Sequence, residues 1–398
     1  MLTGTPALVI SGAQVMDAAG RFAPGTVTVT ADGRFGDVTP ADTVSPAPAA
    51  PAPAADTVPA ADTVLDGRGR WLLPGIYDCH CHITWNDFHH DQRDRKTPQQ
   101  QAAETAAALW STLRAGVTSL RDAGGAPAWV QAAAGTQVAP GPRLQIAVDM
   151  IGADQAGTAS AMRGHVEAAL AKGAQWIKLM ATAGSSTPGD AVLKSNFSEA
   201  EIRAAVETAR AGGARVMMHT WGGDSADWAV EHGVTSIEHG IYLTPEQVSA
   251  AAAAGMTLVP TLTIYRLVRD MVLSGELDGV AFDRIVAVIA AHENVIGLAR
   301  DRGLPLAVGS DYSTPEQHGT NLVEIGALMR AGLPAPDALL AATANGAALL
   351  NDPDGGRIAP GLRADAVLLT ADPADPATFD DPASVAAVVK DGQVVYRA

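Results

Sequence analysis

Apolar and polar residues alternate along 7–38, interrupted by turn sequences at Asp17-Ala-Ala-Gly20 and Ala31-Asp-Gly33, a pattern that predicts short antiparallel strands. Residues 39–61 follow as an Ala/Pro/Asp/Thr run without large apolar side chains; such a run cannot pack and predicts a flexible, partly extended loop. Beyond about 356 the chain returns to short strands at 366–370, 385–389 and 393–396, with an Asp391-Gly392 turn between the last two. Two strand-rich ends around a different middle predict one small sheet domain assembled from both termini, residues 1–64 with 351–398. The middle, 65–350, repeats a strand–helix unit. Strands are expected at 75–80, 116–122, 143–150, 176–181, 215–220, 236–240, 256–262 and 304–311, with Ala-rich helical patterns between most of them. Ser198 with Glu201, and Thr244-Pro245 with Gln247, carry helix-start signals. This α/β alternation predicts a closed (β/α)8 TIM barrel. An open doubly wound sheet is the competitor, but no Gly-x-Gly-x-x-Gly turn follows the first strand.

Composition sharpens this reading in a few places. Hydrophobic residues make up 47% of the chain but aromatics only 5%, so Ala, Val and Leu must fill the core. Lys and Arg number 27 against 43 Asp and Glu, a net charge of −16 that repels a phosphate backbone and argues against nucleic acid as partner. No basic segment with a long apolar run opens the chain, and the apolar stretch 248–264 contains Pro260 and polar residues, so neither a signal peptide nor a membrane span is expected. Cys79 and Cys81, two apart on one strand, are not expected to form a disulfide. A soluble, cytoplasmic protein fits these features, and self-association into a homo-oligomer stays open.

The polar residues fall at telling places. His80, Lys178, His219, His239 and Asp311 each lie at or near the C-terminal end of a different expected strand, and His82 lies two beyond His80. In a barrel those ends converge on one face, where such enzymes keep their active sites. Burying so many titratable groups together is costly unless something satisfies them all, and a metal cluster would.

The segment Leu73-Pro-Gly-Ile-Tyr-Asp-Cys-His-Cys-His82 resembles the Pro-Gly-x-x-Asp-x-His-x-His signature of the amidohydrolase superfamily. Trp176-Ile-Lys-Leu-Met180, Val216-Met-Met-His219, Ser236-Ile-Glu-His-Gly240 and Val308-Gly-Ser-Asp311 match its later motifs in order, and Gly361-Leu-Arg-Ala-Asp365 resembles its return into the terminal domain. The resemblance implies a distorted barrel with a small composite β-sandwich. It implies two divalent metal ions, with His80, His82 and Asp311 holding the more buried one and His219 and His239 the more exposed one. It further implies that Lys178 is carboxylated by carbon dioxide into a bridging carbamate, because an ammonium between two dications would be repelled. Imidazole and carboxylate ligands suit zinc, with manganese, cobalt or iron as alternatives. A hydroxide bridging the metals would attack the carbonyl, and Asp311 would act as general base and then acid. The small-molecule substrate would be an amide.

Within the superfamily, Lys178-Leu-Met-Ala-Thr-Ala-Gly184 and Ile237-Glu-His-Gly-Ile-Tyr242 look most like the prolidase-like and N-acyl-amino-acid hydrolase branch. That branch implies an N-acyl amino acid or a dipeptide as substrate, with Tyr242 helping to hold its carboxylate. One element departs. Those relatives follow strand three with a Gly-Gly-His element that contacts the substrate, whereas this chain has Ile151-Gly-Ala-Asp154. Other expectations come from the residues alone. Asp87-Phe-His-His-Asp91 reads as a solvated lid after strand one, with His89 as a further candidate substrate contact. Arg121-Asp122 reads as an internal salt bridge, His165, His232, His292 and His318 as surface or helix residues, and both cysteines as pointing away from the metals. The rival functions are deamination of a heterocycle or cyclic-amide hydrolysis, a non-hydrolytic reaction on the same metals, and a binding protein that has lost them.

Overall fold

The computed structural model describes residues 7–40, 64–87, 90–183, 192–276 and 282–398. The N-terminal strands are β1 (Leu8–Met16), β2 (Phe22–Val29), β3 (Phe35–Pro40), β4 (Val64–Asp66) and β5 (Trp71–Pro74). The Asp17 carboxylate shapes the first turn by accepting from the amides of Ala19 (2.8 Å) and Arg21 (2.9 Å). Thr39 and Pro40 end β3, so the Ala/Pro run begins inside a strand; its remainder from 41 lies outside the described residues. Strands β4 and β5 hydrogen-bond to β1 in the terminal sheet, so that sheet extends to Pro74, past the expected start of the barrel at 65.

The barrel strands are β6 (Ile76–Cys81), β7 (Val117–Asp122), β8 (Arg143–Ile146), β9 (Met150–Ile151), β10 (Trp176–Met180), β11 (Arg215–Thr220), β12 (Ser236–His239) and β13 (Thr257–Val259). They form two parallel arcs, β6-β7-β8 and β9 to β13. The expected third strand breaks in two at Val148, which adopts φ 65°, but Gln175 N–H donates to Ile146 O (2.9 Å) and joins the arcs. The expected eighth strand is not regular. Residues 304–311 nevertheless close the barrel: Ala307 N–H donates to Leu258 O (3.0 Å) on one side, and Cys79 N–H to Val308 O (2.7 Å) on the other. Pro305 has no N–H to give, and Gly309 presses so close that a Cβ there would lie 2.5 Å from Val259 and 2.7 Å from His80. The helix starts follow the sequence signals. Ser198 N–H donates to Glu201 Oε2 (2.9 Å), and Thr244 and Gln247 exchange bonds of 3.1 and 3.2 Å.

The C-terminal strands β14 (Ala366–Leu369), β15 (Val385–Lys390) and β16 (Gln393–Arg397) complete an 8-stranded sheet in the order β16-β15-β14-β5-β1-β2-β3, with β4 beside β1. This sheet folds over itself into a sandwich around Ile10, Val27, Val29, Leu72 and Leu368. Its two ends meet where the Gly33 turn packs on the Asp391–Gly392 turn; Gly33 has φ 77°, and a Cβ on it would sit 2.5 Å from Asp391 O. Ion pairs tie sandwich to barrel. Arg143 at the base of β8 binds Asp365 (2.9 Å) and Asp391, and Arg363 binds Asp365 (3.0 Å) and Asp352.

Strand β13 stops at Pro260, and a helix over Leu262–Ser274 starts immediately. Its exposed N-terminal amides are capped from afar. Fully buried Glu324 accepts from Leu262 N–H (2.7 Å), Thr263 N–H (2.9 Å) and Thr263 Oγ1–H (2.6 Å). Burial outweighs these donors and raises the Glu324 carboxyl to about 7. An acid raised above its unfolded value binds more protons in the native state between the two values, so stability falls as pH rises through that window. Unfolding free energy is expected to drop by about 3 kcal/mol from this group between pH 4.5 and 7. Urea denaturation across that range should show the slope in wild type and lose it in Glu324→Gln; an unchanged slope would refute the assignment.

Candidate metal centre

The first histidine is placed by an irregularity of β6. Tyr77 pairs with Ser119 and Asp78 with Leu120, but Cys81 then pairs with Asp122, so Cys79 and His80 together face Arg121. This is a β-bulge, which re-aims side chains. Both Cys79 and His80 consequently enter the barrel interior. Cys79 packs with Trp176, Met217, Val259 and Ala307 below the histidines, which corrects the expectation that both cysteines point away. Burial pushes the Cys79 thiol up to about 12, and Cys79 does not line the cavity that the histidines share. Cys81 does turn outward, beside Tyr312 O at 3.5 Å, and both cysteines are free. Asp78, also outside, accepts from Ser310 Oγ (2.6 Å) and Asn321 (2.9 Å) and so fixes the segment that carries Asp311.

The strand ends bring His80, His82, Lys178, His219, His239 and Asp311 to one cavity of about 180 Å³. Asp311 Oδ1 lies 3.3 Å from the Nε2 atoms of both His80 and His82, and Lys178 Nζ lies 3.3 Å from His80 Nε2. The rings of His219 and His239 are 4.6 Å apart, and that of His239 is 5.1 Å from His80. Each anchored imidazole is held through Nδ1: His80 by Glu238 (2.7 Å), His82 by Gly124 O (2.9 Å) and His239 by Thr261 Oγ1 (2.7 Å). That leaves the Nε2 lone pairs facing inward, the arrangement of metal-ligating histidines with their outer partners. His239, Thr261 and Asp311 adopt φ of 71°, 60° and 56°, each costing of order 1–3 kcal/mol in residues with side chains. The strain turns these residues at strand ends, where the donors must converge.

Glu238 is fully buried and binds Arg121 at 3.0 Å through both oxygens, so the buried ion pair is Arg121–Glu238 and not Arg121–Asp122. Asp122 instead accepts from the amides of Ile83, Gly124 and Ala126. The Arg121 guanidinium also lies 4.4 Å over the Trp176 ring. This network was not foreseen; its only sequence signal was a Glu directly before a candidate ligand.

Electrostatics suit ligation. Burial, followed by the Lys178 charge, lowers His219 to about 3, and burial with His219 lowers His239 well below its usual value, so both imidazoles are neutral at neutral pH. Burial would raise Asp311, but His80, His82 and His239 overcome it and hold the carboxyl well below its ordinary range. Burial lowers Lys178 to about 8, only partly opposed by Glu238 and Asp311. His80, His82 and Asp311 offer ligand atoms all within 4.8 Å of one another. The Nε2 atoms of His80 and His82, turned toward an ionised carboxylate, fit a divalent cation.

The remaining wall is Trp85, Met150, Met180, Ile264, Tyr265, Val268 and Ser313. Trp85 stacks on His82 at 4.0 Å, and Tyr265 stands edge-on to His239 at 5.9 Å and accepts from Trp221 Nε1 (3.2 Å). Tyr242 is half-buried behind this wall, 6.1 Å from the Trp221 ring. His89 lies outside the described residues. Asp154 is exposed on a short turn. His292 lies on the helix Phe282–Arg302, as expected, but is buried, and His318 is buried in a turn and is neither a surface nor a helix residue. His292 donates to His239 O (3.1 Å) and so supports the strained ligand turn, while His318 lies 3.2 Å from Thr112 Oγ1. His232, on a helix, pairs with Glu199 (3.2 Å).

The chain matches the model of the amidohydrolase family over residues 71–395. A crystal structure of a prolidase complexed with N-methylphosphonate-L-proline superposes with a TM-score of 0.85 at 26% identity, covering 98% of this chain and 100% of that one. Ochratoxinase of Aspergillus niger is 25% identical over 367 residues, 81% of this chain and 75% of that protein. An uncharacterised protein of Mycobacterium bovis is 28% identical over 292 residues, 72% of this chain and 76% of that protein. A metal-ligand geometry at the strand ends, a sandwich built from both termini and these likenesses agree, and the chain belongs to the amidohydrolase family, as a metal-dependent hydrolase of its prolidase-like branch.

Proposed function

We propose that the enzyme hydrolyses the amide bond of a small substrate held against His80, His82, Lys178, His219, His239 and Asp311. The observation that carries this reading is the convergence of inward Nε2 atoms, each anchored ring fixed through Nδ1, around an ionised carboxylate. His80, His82 and Asp311 would hold one divalent ion, and His219 and His239 a second, with zinc the first choice for this donor set. When bound, such ions supply Lewis acidity and acidify water.

The chain's own groups do the rest. Asp311, ionised and open to the cavity, accepts the proton that the attacking water loses and passes it to the leaving nitrogen. The amide C–N bond breaks, a C–O bond forms at the acyl carbon, and an acid and an amine leave. Glu238 and Arg121 keep the His80 ring in its tautomer. Lys178, with an amine lowered to about 8 and fully enclosed, has a neutral form that can add carbon dioxide, which supports a carbamate at this position. N-acyl amino acids and dipeptides are the frameworks that the prolidase-like relatives suggest, although among the described residues no cation besides Lys178 lines the cavity to meet their carboxylate.

Zinc-loaded, bicarbonate-treated enzyme is expected to add one water to an amide and release its amine, whereas chelator-stripped enzyme does not. Mass spectrometry over dipeptides, N-acyl amino acids, aryl amides, cyclic amides and aminated heterocycles reads this directly. Ammonia loss from a heterocycle alone would replace the reading with a deaminase. A metal-loaded protein that turned over none of them would point to a binding role.

A further inference from the structure

We infer that the substrate is an uncharged amide bearing a small apolar alkyl or aryl group, and that the pocket rejects amides carrying a free carboxylate. The inference rests on the amide-hydrolase reading and names its substrate class. Outside the metal-ligand set, the wall among the described residues consists of Trp85, Met150, Met180, Ile264, Tyr265, Val268 and Ser313, with side-chain polar atoms only on Ser313, Tyr265 and Trp85. A carboxylate held there would need a guanidinium, an ammonium or a cluster of donors, since an ion removed from water without a partner is strongly disfavoured.

No such cation lines the cavity among the described residues, apart from Lys178 inside the centre. The segments outside the described residues, 1–6, 41–63, 88–89, 184–191 and 277–281, contain no lysine or arginine. The nearby arginines are placed elsewhere. Arg93 lies 4.3 Å over the Trp85 ring and does not line the cavity. Arg266 is paired with Glu293 (2.8 Å). After strand three the chain offers Met150 to the cavity, and the charges flanking it are Asp149, paired with Lys172 (2.6 Å), and the exposed Asp154, both of the wrong sign. Two thioethers and two aromatic faces instead form an adaptable apolar wall. The volume, about 180 Å³, lies below the roughly 300 Å³ at which sites for drug-sized ligands begin, which sets the ligand as small.

A matched pair tests this. N-Benzoyl-L-leucine and N-(3-methylbutyl)benzamide share acyl and alkyl halves and differ only in the carboxylate. With the zinc-loaded enzyme, kcat/KM is expected to be at least about tenfold higher for the uncharged member. The ketone analogues of the pair, with CH2 in place of the amide nitrogen, cannot be hydrolysed, and calorimetry should show the uncharged ketone binding at least about tenfold tighter. Val268→Lys, with folding checked by its melting curve, should shift both ratios toward the carboxylate by about tenfold. Equal or stronger binding of the carboxylate ketone, or binding of neither ketone, overturns the inference; a preference for the carboxylate would give its recognition to Tyr242 and to Arg284, whose charge acts on the Tyr242 hydroxyl although neither residue lines the cavity. Tighter binding of the uncharged ketone with no turnover of either amide upholds the pocket's selectivity and sinks the hydrolase reading alone.

Discussion

Asp311→Asn is expected to lower kcat by on the order of 10³-fold, within the range for removing a positioned general base and acid. The amide oxygen of Asn can still face His80 and His82, which lie 3.3 Å from the present carboxylate, so much of the metal should remain. The two roles of the residue are therefore separable. Metal content by elemental analysis should fall modestly, while kcat falls steeply with little change in KM. Substantial activity in a metal-replete Asp311→Asn enzyme would assign proton transfer elsewhere.

Lys178→Ala should have an effect of similar size by another route. If Lys178 carries the carbamate, its loss removes an anionic ligand between the two ion sites and leaves His219 and His239 as a pair of neutral donors for one of them. Several kcal/mol of charge stabilisation disappear, corresponding to on the order of 10³-fold in activity. Metal stoichiometry should drop toward one per chain, and acetate or bicarbonate should restore part of the activity by occupying the vacated volume. Native mass spectrometry of wild type should show the added mass of one carbon dioxide, absent from the variant. Full metal content and activity in Lys178→Ala would sink the bridge.

The sequence carried the architecture well where periodicity alone sets it. Strands β10, β11 and β12 lie where the apolar runs that carry Lys178, His219 and His239 were expected, because a fully buried parallel strand leaves little choice of residues. The fold was less legible where pairing sets it. The bulge at Cys79 and His80 depends on the register of β6 against β7, and an alternation rule applied to β6 alone put Cys79 on the wrong face. The segment 304–311 has the apolar look of a strand, but Pro305 and the close approach at Gly309 leave it with bonds to Leu258 and Cys79 and no regular ladder. Strands β4 and β5 are 3 and 4 residues long and acquire meaning only through β1. The cavity wall was the least legible part. Ile264 and Tyr265 ride on a helix start that the sequence read as the end of a strand, and Trp85 sits in a loop with no periodicity to place it.

The sandwich has a consequence for how the protein is made. Its middle strand pair joins β5 with β14, residues 71–74 with 366–369, so nearly the whole barrel separates the partners along the chain. During synthesis β1 to β5 emerge early and wait with the β5 edge unpaired until β14 to β16 leave the ribosome. An unpaired edge invites association with other chains, and contacts so distant in sequence form slowly. Strand β14 therefore acts as a seal: a chain that has not yet delivered it displays a bare sheet edge, and one that has delivered it hides that edge.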